Sequence, residues 1–164
     1  MLFILLSYIY ILFTAQNFGF VFYKLLKFNA SNFILKTIFG LFSVTILATI
    51  CAVFGRINIE FHLFLLAINF MIFIKYKSVI INEHKIFITD LKNLSQNLKI
   101  LLSIIAILIV AQCSTAPYLA DNESYYIQTI KWLNEYGLVK GLVNLHIFLG
   151  QTSGWHICQS AFSF

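Results

Sequence analysis

Residues 37–55 read TIFGLFSVTILATICAVFG, a run without a charged side chain, closed by Lys36 on one side and Arg56 on the other. As a helix it rises roughly 28 Å at about 1.5 Å per residue, close to the thickness of a bilayer's hydrocarbon core. Working back toward the N-terminus, residues 2–23 (LFILLSYIYILFTAQNFGFVFY) are also uncharged, and only Ser7, Thr14, Gln16 and Asn17 interrupt their apolar character. They cover roughly 33 Å, one further crossing. Downstream, residues 61–74 and 100–116 are the remaining long apolar runs. The first of these is short, so it borrows residues 57–60 at one end and lets Lys75 extend toward water at the other. The second ends at Pro117, which has no N–H to continue a helical ladder. Composition agrees: 60% of the 164 residues are hydrophobic, 10% are charged and the mean hydropathy is +0.88. These values lie far from those of a water-soluble domain. The expected fold is all-α, a polytopic transmembrane bundle of four spans over residues 1–119. A C-terminal extracytoplasmic segment, 120–164, carries an amphipathic helix.

Charge sets the expected orientation. Lys24, Lys27, Lys36, Lys75, Lys77, Lys85, Lys92 and Lys99 fall in two linkers, whereas Arg56, Lys131 and Lys140 fall on the other side. An excess of Lys and Arg marks the cytoplasmic face, so both termini are expected outside. This placement also explains the net charge of +5 without invoking nucleic acid. A secretory signal peptide would carry its positive charge before the apolar run, whereas here it follows. Within 75–99 the stretch 79–88 is too apolar for a bare linker and reads as interfacial. Arg56 and Glu60, four apart, are placed to pair. Cys51, Cys113 and Cys158 are odd in number and far apart, and they read as small hydrophobes rather than a disulfide framework or metal site. Abundant Phe, Ile, Lys and Asn point to an AT-rich genome and hence to a bacterial inner membrane. P-loop, dinucleotide, nucleophile-elbow and zinc-protease patterns are absent from the sequence.

Chemistry, if any, belongs to the segment after Pro117, which holds Asp121, Glu123, Lys131, Glu135, Lys140, His146, His156 and both Trp. Residues 123–136 read as a helix with Tyr126, Ile127, Ile130 and Leu133 on one face and Gly137 as its C-terminal cap. It is expected along the outer membrane surface, with Trp132 and Tyr136 at headgroup level. Asp121 or Asn122 suits an N-cap and Glu123 the first turn. Two carboxylates just outside a span can also bind a divalent cation or take a proton from a hydroxyl. Lys140 suits a headgroup anchor or a phosphate contact. His146 and His156, ten apart, lack metal-ligand spacing and read as structural.

The stretch 121–156, DNESYYIQTIKWLNEYGLVKGLVNLHIFLGQTSGWH, resembles a motif of uncharacterised, large, polytopic bacterial inner-membrane proteins. These in turn are similar to membrane-embedded glycosyltransferases of the C superfamily. The matching positions are Asp121, Tyr125, Gln128, Ile130, Lys131, Trp132, Glu135, Tyr136, Gly137, Gly141, Asn144, Leu145 and His146. That family often has His where this chain has Tyr126. The resemblance implies a polyprenyl-phosphate-linked sugar donor, with Asp121 as base or metal ligand and Glu123 as its partner. Lys131, Lys140 and His146 are then the substrate-binding contacts to phosphate. It also implies further spans, with 158–164 reading as the start of another helix, so the chain is expected to be an N-terminal piece. The competing expectations are a non-enzymatic subunit of a polysaccharide polymerase or flippase, and a nonfunctional fragment. Single cysteines at positions 29 and 96 should resist an impermeant thiol reagent applied outside intact cells. Labelling of both would refute the orientation.

Overall fold

The computed structural model describes residues 2–28, 32–115 and 125–163. Among them the structure is helical throughout: α1 (Leu2–Leu25), α2 (Phe33–Phe54), α3 (Ile59–Asn93), α4 (Gln96–Cys113), α5 (Ile127–Tyr136) and α6 (Gly154–Ser160). Two single turns of 3-10 helix, Leu142–Asn144 and Ile147–Gly150, join α5 to α6. The first four helices are long and apolar enough to cross a membrane, so the chain is an integral membrane protein with an all-α bundle. Side-chain caps start three of them. Asn32 accepts from the Leu35 N–H, Asn58 from Glu60 and Ser95 from Leu98, each satisfying an N–H that has no helical partner.

Lipid is as apolar as the helices' own side chains, so close packing and polar bonds hold spans together. Both are found between α1 and α2, which run antiparallel. A Cβ on Gly40 would overlap the Ala15 carbonyl, and one on Gly19 would overlap that of Lys36. The absence of side chains at these two positions lets the backbones meet. On α2 the contact surface continues every fourth residue through Gly40, Val44, Ala48 and Ala52, all buried. Elsewhere on the same helix, the partly buried Ser43, Thr45 and Thr49 donate their hydroxyls back to the carbonyls of Phe39, Leu41 and Thr45, so each hydroxyl has a partner within the helix.

α3 lies parallel to α1 and is joined to it by a buried polar chain. The Asn17 amide donates to Asn69 Oδ1, and Asn69 Nδ2 donates to Thr14 Oγ1 at 2.8 Å. Gln16 donates to the Phe33 carbonyl and to Thr37 on α2. The four polar residues that interrupt the first apolar run therefore divide by role. Thr14, Gln16 and Asn17 join helices, while Ser7 donates only to the Phe3 carbonyl of its own helix.

The linker 75–99 differs from expectation in being mostly helix. α3 continues through it to Asn93, with non-helical φ/ψ of −119° and 19° at Tyr76. Past the bend, α3 comes against the start of α2. Phe87 stacks on Phe33 with ring centroids 3.9 Å apart, and Glu83 pairs with Lys36. The interfacial stretch 79–88 is thus the second limb of a bent helix. The expected Arg56–Glu60 pair forms at 3.1 Å with both side chains exposed, a geometry that contributes at most about 0.5 kcal/mol. α4 has no buried residue, and its end is marked by Cys113 Sγ at 3.0 Å from the Tyr8 hydroxyl of α1.

Gly40→Ala should lower stability in detergent by about 1–3 kcal/mol, because the added methyl meets backbone rather than a movable side chain. Gly55→Ala, with nothing near the added Cβ, is the control. Equal thermal midpoints for the two variants would disprove the close approach.

Candidate functional site

The C-terminal segment is fastened to the bundle at the α2–α3 turn. Gly137 ends α5 with φ of +77° and its N–H bonded to the Leu133 carbonyl, the expected cap. A Cβ on this glycine would overlap the carbonyl oxygen of Gly55. Two backbone bonds cross the junction: Leu138 N–H to the Ala52 carbonyl at 2.8 Å, and Ile57 N–H to that of Leu133 at 2.9 Å. The first uses one of the last carbonyls of α2, which has no helical partner, and the second gives the Ile57 N–H an acceptor that Leu133 shares with Gly137. Leu133, Ile157 and Ala161 enter the same core as Val44, Ala48, Ala52, Ile57, Phe61 and Leu65.

The α-helical part of α5 runs from Ile127, with Thr129 and Leu133 as its buried residues, and is preceded by a helical turn at Tyr125 and Tyr126. The first two residues of the expected helix, 123 and 124, lie outside the described residues. Ile130 is half-buried, and Tyr126 is more exposed than the expected face required. α6 begins at Gly154 and ends at Ser160, earlier at both ends than the helix expected over 158–164. It is started by Ser153, whose Oγ accepts from the His156 N–H while His156 Nδ1 accepts from the Ser153 N–H. Gly154 sits near Thr45, about 15 Å along α2 from Gly55. The α5–α6 pair therefore runs beside the last turns of α2. Ser160 donates to Asn134 Oδ1, and Asn134 Nδ2 donates to Ser163 at 2.8 Å, stitching the two together.

The sequence-derived site residues are placed unequally. Asp121 and Glu123, together with the cap at Asn122, lie outside the described residues. Lys131 is exposed on α5, Lys140 is exposed just past the Gly137 turn, and His146 is exposed with its ring 5.4 Å from Phe148. No side-chain hydrogen bond or ion pair joins these three to another described residue, so the fold leaves the two ammonium groups and the imidazole available. Trp132 and Tyr136 pair on α5 with centroids 4.9 Å apart, and Trp155 is 68% exposed. Among the described residues no three His, Cys, Asp or Glu approach closely enough to hold a metal.

His156 has a larger structural part than its spacing from His146 disclosed. It is buried, faces Tyr126 at 5.3 Å between centroids and closes the cap of α6. The Ser153-x-x-His156 spacing was the available signal, although His replaces the usual Glu or Gln of such a box. Burial holds the imidazole pKa below its ordinary value. Protonation would also turn Nδ1 from acceptor to donor and break the cap. A depressed histidine pKa means that the unfolded chain binds the proton more readily, so stability is complete above about pH 6.5 and declines as pH falls below it. Protease accessibility of the segment after Gly137 should rise between pH 7 and 5, and His156→Gln should flatten the change. An unaltered pH profile in that variant would remove His156 from the explanation.

Neither a curated protein nor a solved structure matches the chain. A family model does, over residues 1–164. This all-α membrane protein belongs to the family described as a domain of unknown function, DUF8201.

Proposed function

We propose that the chain serves a bacterial inner-membrane glycosyltransferase reaction that uses a polyprenyl-phosphate-linked sugar in cell-envelope glycan synthesis. The observation that supports this reading is the fastening of α5 and its motif residues to the α2–α3 turn. That turn is the end of the bundle away from the lysine-rich linkers, the outer face if positive charge stays inside. The junction at Gly137 then lies toward the lipid phosphates, where the exposed Lys140 just past it suits phosphate contact, and the exposed Lys131 and His146 are the further proposed contacts. Asp121, between α4 and α5 in the sequence, is the proposed base and Glu123 its partner. In the transfer an acceptor hydroxyl attacks the anomeric carbon. The bond from that carbon to the phosphate oxygen breaks, polyprenyl phosphate leaves with the electron pair, and Asp121 takes the hydroxyl proton. General-base assistance of this kind contributes about 10² to 10⁴-fold.

A second reading, a non-enzymatic subunit of a polymerase or flippase, is favoured by α4, none of whose residues is buried in the chain's own bundle. Stoichiometric copurification with another membrane protein supports it, and dependence on an added lipid-linked sugar supports the enzyme. Asp121→Asn in the native host's own gene tests the first reading. Asn caps a helix about as well as Asp, so folding is spared while the base is lost. Envelope glycan synthesis should fall about 10²-fold or more at normal protein level. Full synthesis in that strain would leave Asp121 as a cap alone.

A further inference from the structure

We propose that the lysine-lined face of α3 at its Tyr76 bend binds the headgroup of an anionic phospholipid. The bend opens a hollow of about 540 Å³ lined by Lys75, Lys77, Lys85, Ser78 and Asn82, with Ile74 and Ile81. Three lysines and two neutral polar side chains line it, and no carboxylate does. The helix itself explains why. At about 100° per residue, positions 74, 78, 81 and 85 share one face, while Glu83 and Asp90 fall on the opposite one. Glu83 is also neutralised by Lys36 across the bundle. A fourth cation, Lys24, lies 4.4 Å from the Tyr76 ring centroid and adds to the positive potential at the bend.

Depth selects the occupant. The apolar part of α3 ends at Ile74, and the lysines begin at the next residue, where phospholipid phosphates lie. Ile74 and Ile81 offer apolar surface to the upper acyl chain, and the lysines offer donors to the phosphate. Lysines retained only to orient the chain could stand anywhere in the linker. A headgroup site needs them in this hollow.

Native mass spectrometry of the full chain in detergent, with phosphatidylglycerol and phosphatidylcholine in competition, separates these cases. The chain should retain phosphatidylglycerol preferentially. Each of Lys75→Gln, Lys77→Gln and Lys85→Gln should weaken it about fivefold, and the triple variant on the order of 100-fold. The corresponding Arg triple should bind as the parent does. Lys27→Gln, Lys92→Gln and Lys99→Gln combined remove equal charge outside the hollow and should change retention only a few-fold. An equal loss in the two Gln triples, no preference over phosphatidylcholine, or full displacement by millimolar inorganic phosphate would each overturn the assignment. The single variants decide the matter should the Gln triple lose its helicity.

Discussion

The backbone contact of α1 with α2 across Gly19 and Gly40 governs the arrangement of everything else. In lipid, burial of apolar side chains between helices brings no gain over contact with acyl chains, so association depends on close approach and on polar bonds formed once helices are near. Bringing the backbones together places Gln16 beside the Phe33 carbonyl and leaves Asn17 and Thr14 facing α3, where Asn69 joins them. Interhelical bonds of this type average about 0.6 kcal/mol each, and together they fix which face of α3 turns inward. Val44, Ala48 and Ala52, which continue the contact surface of α2, share one core with Leu133, Ile157 and Ala161 of the C-terminal segment.

At the other end of the bundle an ion pair does comparable work. The Lys36 side chain is 6% exposed and that of Glu83 is 18% exposed. A buried pair adds little net stability, since desolvation offsets attraction, but removing either member strands the other. The pair is therefore more demanding about geometry than generous with energy. It holds the second limb of α3 against the start of α2, where Phe33 stacks on Phe87. The bend at Tyr76 is kept in one direction by contacts at both of its sides.

Hydropathy made the four spans legible, because the uncharged runs 2–23 and 37–55 have few alternatives and the shorter runs 61–74 and 100–116 repeat the pattern. The Arg56–Glu60 pair and the Gly137 cap were legible for a similar reason: each depends on spacing within a few residues. The bend at Tyr76 was not, since no proline marks it and its stabilising partners lie on α1 and α2. Small residues four apart, Ala15 with Gly19 and Gly40 with Val44 and Ala48, carried the helix contact in plain view of a packing argument. Burial of His156 required knowing that α6 lies along α2, a contact between residues more than a hundred positions apart. The proposed site was legible only as a motif. Its two carboxylates sit in the stretch between Thr115 and Tyr125, outside the described residues.

The covering of α2 by α6 has a consequence for biogenesis. Ribosomes deliver α2 to the membrane long before residues 157 and 161 exist, yet those residues complete its core. Throughout the synthesis of α3, α4 and α5, the side of α2 that α6 later covers, next to Thr45, stays open to lipid or to an insertion factor. The bundle can reach its final packing only after α6 has emerged and turned back beside a helix made more than a hundred residues earlier. Such late, sequence-distant closure is entropically slow. It makes the nascent form a distinct, longer-lived species with its own lateral surface in the bilayer.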